Sequence, residues 1–214
     1  MLKSECKAKR IKGEGKCVKF EVYKDEKLLM SLKLKIGGVY NVQKGLLAIQ
    51  AARALGINYC YIKCGLENFL GLQKRFEHVN ATCSATVILD YAHHPREIKS
   101  VFESVKKIKA KKIAVFQPHT YSRTQAFLND FVKTLSQFDE VVLFKTFAAR
   151  EEENFQVEIK LISLLSKNKK TSMFYDVRAL IDKLKTYHKG DVVCIMGAGN
   201  LPELLKHQNF ILKD

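Results

Sequence analysis

Residues 90–98 read DYAHHPREI, a stretch that concentrates side chains able to do chemistry. Asp90 ends an apolar run, and the adjacent His93 and His94 precede a proline that suits the first turn of a helix. One carboxylate and two imidazoles could bind a metal, form a general acid–base pair or hold a substrate. The stretch therefore predicts a functional site and leaves the kind of chemistry open.

Other polar segments carry the remaining candidate residues. One is a glycine turn before a predicted helix, where backbone N–H groups can bind an anion and where glycines equally suit a tight turn. The segments are QPHTYSRT (117–124) with His119 and Arg123, KTFAAREE (145–152), Asp176, and GAGNLPE (197–203) with Gly197, Gly199 and Asn200.

Alternating strands and helices would position these segments. Continuous apolar runs, separated by stretches with apolar residues at helical spacing, predict a mostly parallel sheet with helices on both faces. This is an α/β, Rossmann-like domain, in which ligands bind outside the carboxyl ends of the strands, where the polar segments lie. The predicted strands are 86–90, 112–116, 140–144, 172–176 and 191–196, and the predicted helices start at Pro95, span 127–135, 156–167 and 177–187, and follow Pro202.

The first third of the chain has a different pattern, which changes near Phe76–Val79. We therefore predict one domain over 1–77 and another over 78–214. A hairpin with two helices is small for an independent core, so we expect 1–77 to be the tail of a larger domain, either mobile or self-associating. The predicted elements are two strands within 16–35 around a KDEK turn, and helices over 41–55 and 59–67.

Composition limits the classes of protein that fit. The net charge is +15, but the Lys and Arg residues are scattered, which favours an anionic small molecule over nucleic acid. We find no signal-peptide pattern and no apolar run near the roughly 18 residues of a membrane helix. The six cysteines form no CxxC pair, so we expect reduced thiols in a cytosolic protein. Cys60 and Cys64 lie one helical turn apart, but no nearby histidine completes a zinc site.

Simpler structural roles are open for each candidate. Asp90 suits a helix cap, and His93 and His94 suit a solvated loop. His119 and Arg123 suit a surface turn. A metal site built from the histidines lacks Cys or Glu at a ligand-like spacing, and a Ser/His/Asp hydrolase lacks the G-x-S-x-G turn. A functional site is favoured because all the segments converge on one edge of the sheet.

The motifs taken in order resemble a known family. DYAHHPREI, FQPHTYSRTQAF, AAREE and MGAGNL resemble the C-terminal domain of the Mur ligases, in particular its alanine-adding members, and GGVYNVQKGLLAIQAARALGI and GLQKRFEHV extend the likeness upstream. The resemblance implies an ATP- and Mg²⁺-dependent ligase that adds L-alanine to UDP-N-acetylmuramate through an acyl phosphate, in peptidoglycan precursor synthesis. It also implies that 1–77 ends a central ATP-binding domain and that 78–214 is the C-terminal domain.

On the ATP side, the resemblance implies roles for three residues. Asn41 matches a residue near the adenine, and Arg75 and Asp90 match residues that reach ATP. Two positions depart from the family: Tyr40 replaces a histidine, and Lys44 replaces a second asparagine. These departures affect the expected adenine site.

On the acceptor side, His93, His94, His119 and Arg123 match the face where L-alanine and the muramyl carboxylate meet. Arg123 is expected to bind the alanine carboxylate, because a guanidinium stays charged and binds carboxylates bidentately. Thr120 stands where many relatives have arginine.

No G-x-x-x-x-G-K-[ST] phosphate loop occurs in the 214 residues. Phosphoryl transfer depends on positioned phosphates and Mg²⁺, so we expect no ligase activity from this chain alone. The alternative is a stand-alone, non-catalytic module that binds a nucleotide or a partner ligase in the same cleft. We expect small-molecule substrates and neither nucleic acid nor membrane as a partner.

Overall fold

The chain folds into two compact units, Met1–Glu77 and His78–Asp214, which divide where the sequence pattern changes. Each unit has its own hydrophobic core. The structure is a computed structural model, and the side chains of Glu14 and Tyr40 lie outside the part that it describes. The described residues are 6–14, 17–38, 40–167 and 169–212.

The first unit is a three-stranded antiparallel sheet packed against two helices. Val18, Phe20 and Val22 alternate along the central strand and are buried, as the two-residue period of a strand requires. Ile49 and Ile62 contribute the helical side of this core. The elements are β1 (Cys6–Glu14), β2 (Cys17–Lys24), β3 (Lys27–Leu34), α1 (Tyr40–Ala54) and α2 (Tyr59–Asn68).

The predicted two-stranded hairpin around the KDEK turn is confirmed as β2 and β3, and β1 adds a third strand that the sequence did not predict. It pairs with β2 from Cys6↔Lys24 to Glu14↔Cys17, with a shift in register between Lys9 and Lys12. Among its residues with described burial, Cys6 is the one that is buried. The strand is rich in lysine and lacks the apolar alternation by which strands are recognised.

The second unit confirms the predicted parallel sheet with helices on both faces. The strand order is β4-β5-β9-β6-β7-β8, and the pairs from β5 to β8 are parallel. Val193 and Ile195 face a core shared with α7 and α8, whereas Phe116 on the other face contacts Phe131 of α5, with ring centroids 5.3 Å apart. The strands are β4 (Glu77–Val79), β5 (Thr86–Asp90), β6 (Lys112–Phe116), β7 (Glu140–Phe144), β8 (Lys170–Phe174) and β9 (Val192–Met196), and the helices are α3 (Pro95–Val105), α4 (Tyr121–Ala126), α5 (Leu128–Leu135), α6 (Phe155–Ser166), α7 (Val177–Lys185) and α8 (Leu201–His207).

Several elements begin or end one or two residues from their predicted bounds. The helix expected over 127–135 is confirmed as α5, and α4 is a separate short helix that the sequence did not predict. The two meet at Phe127, a residue with non-helical backbone angles. Strand β8 ends at Phe174 rather than at 176. Asp176 leaves the strand because its carboxylate accepts hydrogen bonds from Arg178 N and Ala179 N, which makes it the N-cap of α7.

Candidate active site

The strand order brings three of the polar segments side by side. Because β9 lies between β5 and β6, Asp90, Met196 and Phe116 end the three strands in register. Backbone hydrogen bonds continue past these ends, from Gly197 N to the Asp90 carbonyl and from Gln117 N to the Met196 carbonyl. The segments after β5, β6 and β9 therefore form one continuous edge, as expected for a ligand site in a parallel sheet.

Asp90 is buried at this edge and does not cap α3. Its Oδ1 accepts a hydrogen bond from Ala92 N at 2.8 Å, which shapes the turn that leads to the histidines. The helix-cap alternative for Asp90 is therefore wrong, since the N-cap of α3 is His94. The expected contact of Asp90 with ATP stays a prediction.

His94 is the N-cap residue of α3. Its Nδ1 accepts a hydrogen bond from Arg96 N at 3.3 Å, and Glu97 completes a capping box. The imidazole also packs edge-on against Phe127, with centroids 4.7 Å apart. His94 lines a cleft of about 710 Å³ between α3 and α5, together with residues that include Lys99. The His94 ring thus caps α3 and packs on Phe127, and its substrate role stays a prediction.

His93, His119 and Arg123 form the cluster at the centre of the edge. The two imidazole centroids are 6.0 Å apart, and Arg123 Nη1 lies 3.3 Å from His119 Nδ1. Desolvation by burial, followed by the charges of Arg123 and His93, lowers the pKa of His119 below its usual value. The cluster therefore combines a permanent cation with a histidine that favours its neutral form.

Glu151 is a residue of this edge whose role the sequence did not predict. Its Oε2 accepts hydrogen bonds from Tyr121 N at 2.6 Å and from Ser122 N at 3.0 Å, and Ser122 Oγ donates to its other oxygen. These bonds, the Ser122 hydroxyl first, lower the pKa of Glu151. The AAREE segment thus fixes the first turn of α4, the helix that carries Arg123. The sequence indicated that this segment is polar and follows a strand, but it did not predict that Glu151 contacts the start of α4.

Gln117 explains the glycine turn after β9. Its buried side chain accepts from Leu201 N at 2.9 Å and donates to Asn200 Oδ1 at 3.2 Å. A Cβ on Gly199 would lie 2.4 Å from Gln117 Oε1, and one on Gly197, where φ is +144°, would lie 2.7 Å from the Gln117 carbonyl oxygen. The glycines therefore allow close packing against Gln117, which supports the turn alternative. The Leu201 N–H already donates to Gln117 Oε1, so it is not a free donor for a bound anion.

Asn41 and Arg75 belong to the first unit, where they line one cavity of about 200 Å³. Its other walls are mainly apolar and include Leu34 and Phe69, and Lys44 also lines it. The Asn41 amide donates to the Gly37 carbonyl at 2.6 Å, which fixes it at the start of α1. The structure therefore places Asn41 and Arg75 together, and Asp90 in the other unit.

Two further features concern the whole described chain. No group of three His, Cys, Asp or Glu side chains among the described residues is arranged to hold a metal ion. None of the helices in these parts of the chain is both long and apolar enough to span a bilayer.

Comparison with known families agrees with the fold and the motifs. Residues 74–199 match the model of the family described as Mur ligase, glutamate ligase domain. The chain is 38% identical over 193 residues to a UDP-N-acetylmuramate–L-alanine ligase of Clostridium perfringens, a match that covers 88% of this chain and 42% of the relative. A ligase of the same name from Caldanaerobacter subterraneus subsp. tengcongensis is 36% identical over 207 residues, with 94% of this chain and 45% of the relative covered.

A solved structure gives the same result. The crystal structure of UDP-N-acetylmuramate–alanine ligase MurC from Thermotoga maritima superposes with a TM-score of 0.76 at 25% identity and covers 97% of this chain and 47% of that one. The chain therefore spans less than half the length of the relatives that it matches.

Proposed function

Because the chain belongs to the Mur ligase family, we propose that it is the amino-acid-binding part of an ATP-dependent ligase that joins L-alanine to UDP-N-acetylmuramate in peptidoglycan synthesis. The observation that carries this proposal is the cluster of His93, His119 and Arg123 at the carboxyl edge of the parallel sheet. The names of the relatives support the choice of L-alanine and UDP-N-acetylmuramate.

The cluster suits a small zwitterion. Arg123 offers a planar, permanently charged donor pair for the carboxylate. His119 lies beside Arg123 and favours its neutral form, so Arg123 supplies the full positive charge of this carboxylate site. His93, which follows β5 and lies beside His119, is proposed to meet the amino group. We propose that His94 acts indirectly, by holding the start of α3 next to His93.

For ATP, the cavity of the first unit is the proposed adenine site. Asn41 is fixed at its rim, and Arg75 supplies a cation that suits phosphate. Asp90 would bind ribose hydroxyls. When bound, ATP and Mg²⁺ supply the phosphoryl group that activates the muramyl carboxylate.

We propose that residues 1–77 are the end of a central ATP-binding domain and that 78–214 are the C-terminal domain. The sequence contains no phosphate-loop motif and the chain matches less than half of its relatives, so the phosphate loop and the UDP-sugar site would lie on other polypeptide. The proposed activity is therefore that of a larger cytosolic ligase, and this chain alone would be inactive.

A second candidate is a non-catalytic nucleotide-binding module. It is favoured by Lys44, which lines the Asn41 cavity where the family has an asparagine. Such a module would bind a nucleotide unaided and would not respond to L-alanine.

The experiment that tests the proposal is an NMR titration of the ¹⁵N-labelled chain with L-alanine. We expect saturable shifts at Arg123 and His119 that are lost in Arg123→Ala. The control is Arg178→Ala on α7, whose exposed side chain lies outside the cluster and should leave the shifts intact. Shifts that survive Arg123→Ala, or a wild-type chain that L-alanine does not perturb, would contradict the proposal.

A further inference from the structure

The hydrogen-bond partners of His93 determine which of its two ring nitrogens carries the proton. His93 Nδ1 lies 2.9 Å from the Tyr91 carbonyl oxygen and 3.5 Å from Glu97 Oε2. Both partners only accept hydrogen bonds, so Nδ1 must carry the proton. In the neutral ring the lone pair is then on Nε2, which is available as a proton acceptor.

His119 has the opposite arrangement. Its Nδ1 lies 3.3 Å from Arg123 Nη1, and a guanidinium only donates. Nδ1 therefore carries the lone pair, and Nε2 carries the proton. Burial and the nearby Arg123 charge, which lower the pKa of His119, keep the ring neutral in this state.

We infer that His93 and His119 hold opposite tautomers, and that His93 Nε2 accepts the proton that the ammonium group of the bound amino acid must lose. This inference rests on the proposed function, because an amine attacks a carbonyl only through its free electron pair. The N–H bond of the ammonium breaks, the electron pair stays on nitrogen, and the proton forms a new bond to Nε2. The resulting imidazolium carries protons on both nitrogens.

Glu97 is the positioning residue for this step. Its Oε2 accepts backbone hydrogen bonds from His93 N at 3.0 Å and from His94 N at 3.2 Å, which fixes the loop. The same oxygen faces His93 Nδ1, where it favours the Nδ1–H tautomer. His94 cannot replace His93, because its Nδ1 accepts from Arg96 N and its ring packs on Phe127.

Long-range ¹H–¹⁵N correlation spectra of the ligand-free chain read the tautomers directly. We expect a protonated Nδ1 and an unprotonated Nε2 in His93, and the reverse in His119. Finding the proton of neutral His93 on Nε2, or the proton of His119 on Nδ1, would overturn the inference. This readout is independent of whether L-alanine binds.

Addition of L-alanine tests the acceptor role. We expect His93 Nε2 to shift toward the protonated position, whereas propionate, which has no ammonium group, should shift Arg123 alone. Shifts at Arg123 without any change at His93 Nε2 would overturn the acceptor role and leave the proposed function intact. If neither residue responds, both fail together, and the ligand-free tautomers still report on the geometry.

Glu97→Gln separates the positioning role from a structural one. Its matched control is Glu103→Gln, a partly exposed carboxylate on the same helix that pairs with Lys106. We expect Glu97→Gln to lower the ratio of Nδ1–H to Nε2–H tautomers in His93 by about fivefold, the effect of one charge-assisted interaction. An unchanged ratio in a folded Glu97→Gln protein would overturn the role of Glu97.

Discussion

Glu140 is a buried charged residue of the second unit, at the opposite end of the sheet from the candidate active site. Its side chain is 1% exposed, with Lys111 Nζ at 2.6 Å from one oxygen and Lys183 Nζ at 2.8 Å from the other. Desolvation by burial raises its pKa, but hydrogen bonds from the two lysines outweigh it and lower the pKa to about 2. The run EVVLF predicted the strand, but not that its first residue is a fully enclosed carboxylate.

Glu140→Gln tests this ion pair through its pH dependence. The pKa of Glu140 in the folded chain lies below the usual glutamate value of 4.5, so the stabilisation is complete above about pH 4.5 and is lost as the pH falls toward 2. We expect the variant to lose about 3 kcal/mol of unfolding free energy at pH 7, and the difference from wild type to vanish near pH 2. The measurement is urea unfolding between pH 2 and 7.

Glu103→Gln serves as the control for that experiment, since its pair with Lys106 is on the surface. We expect a change below about 1 kcal/mol for the control. A difference between wild type and Glu140→Gln that stayed constant across this pH range would contradict the assignment.

At the scale of elements, helix α4 shows how two loops build the Arg123 cluster. Thr120, its N-cap, has φ +65°, an uncommon angle for a β-branched residue. Thr120 N donates to the Phe147 carbonyl, and Phe147 N donates to the Pro118 carbonyl. The loops after β6 and β7 are therefore joined by two backbone hydrogen bonds. Glu151 then anchors the first turn of the helix.

Glu151→Ala should therefore weaken L-alanine binding without touching the ligand. We expect an affinity about tenfold lower than wild type, because Arg123 would lose its fixed orientation. Glu152→Ala, an exposed neighbour in the same loop, is the control and should bind as wild type does. Equal affinities of the two variants, measured by NMR titration, would count against the anchoring role.

The elements also show what the sequence could predict. Runs such as TVILD and KIAVF are continuous and apolar because their strands are buried on both faces. The sequence therefore predicted these strands and the polar residues at their ends. The lysine-rich β1 and the short helix α4 were not predicted. The strand order, with β9 between β5 and β6, depends on tertiary packing, and it decides which loops become neighbours. The grouping of His93 with His119 and the exclusion of His94 follow from that order and from the capping of α3.

At the scale of the whole molecule, the first unit exposes much of its apolar surface. Leu47 is 58% exposed, Leu55 80% and Leu70 79%, although Ile49, on the same helix as Leu47, is fully buried. A small unit with such a surface gains free energy by covering it. The expectation that residues 1–77 are the tail of a larger domain, either mobile or self-associating, stays a prediction.

We therefore predict concentration-dependent self-association through this surface. The double substitution Leu47→Gln and Leu55→Gln should raise the dissociation constant by about tenfold or more, since each buried leucine contributes roughly 1.5–3 kcal/mol. Ile159→Gln in the second unit, at a side chain that is 54% exposed, is the control and should leave it unchanged. Sedimentation velocity over a range of protein concentrations measures the effect, and a wild-type chain that stays monomeric throughout would contradict the prediction.

The central claim is that this chain is the amino-acid-binding part of a larger Mur ligase, and calorimetric titration of the purified wild-type chain tests it most directly. L-Alanine, D-alanine, UDP-N-acetylmuramate and Mg-ATP would be titrated separately, and phosphate release would be followed with all substrates present. We predict saturable heat with L-alanine, weaker heat with D-alanine, none with UDP-N-acetylmuramate, and no phosphate release. L-Alanine-dependent phosphate release by this chain alone, or nucleotide binding without any response to L-alanine, would contradict the account.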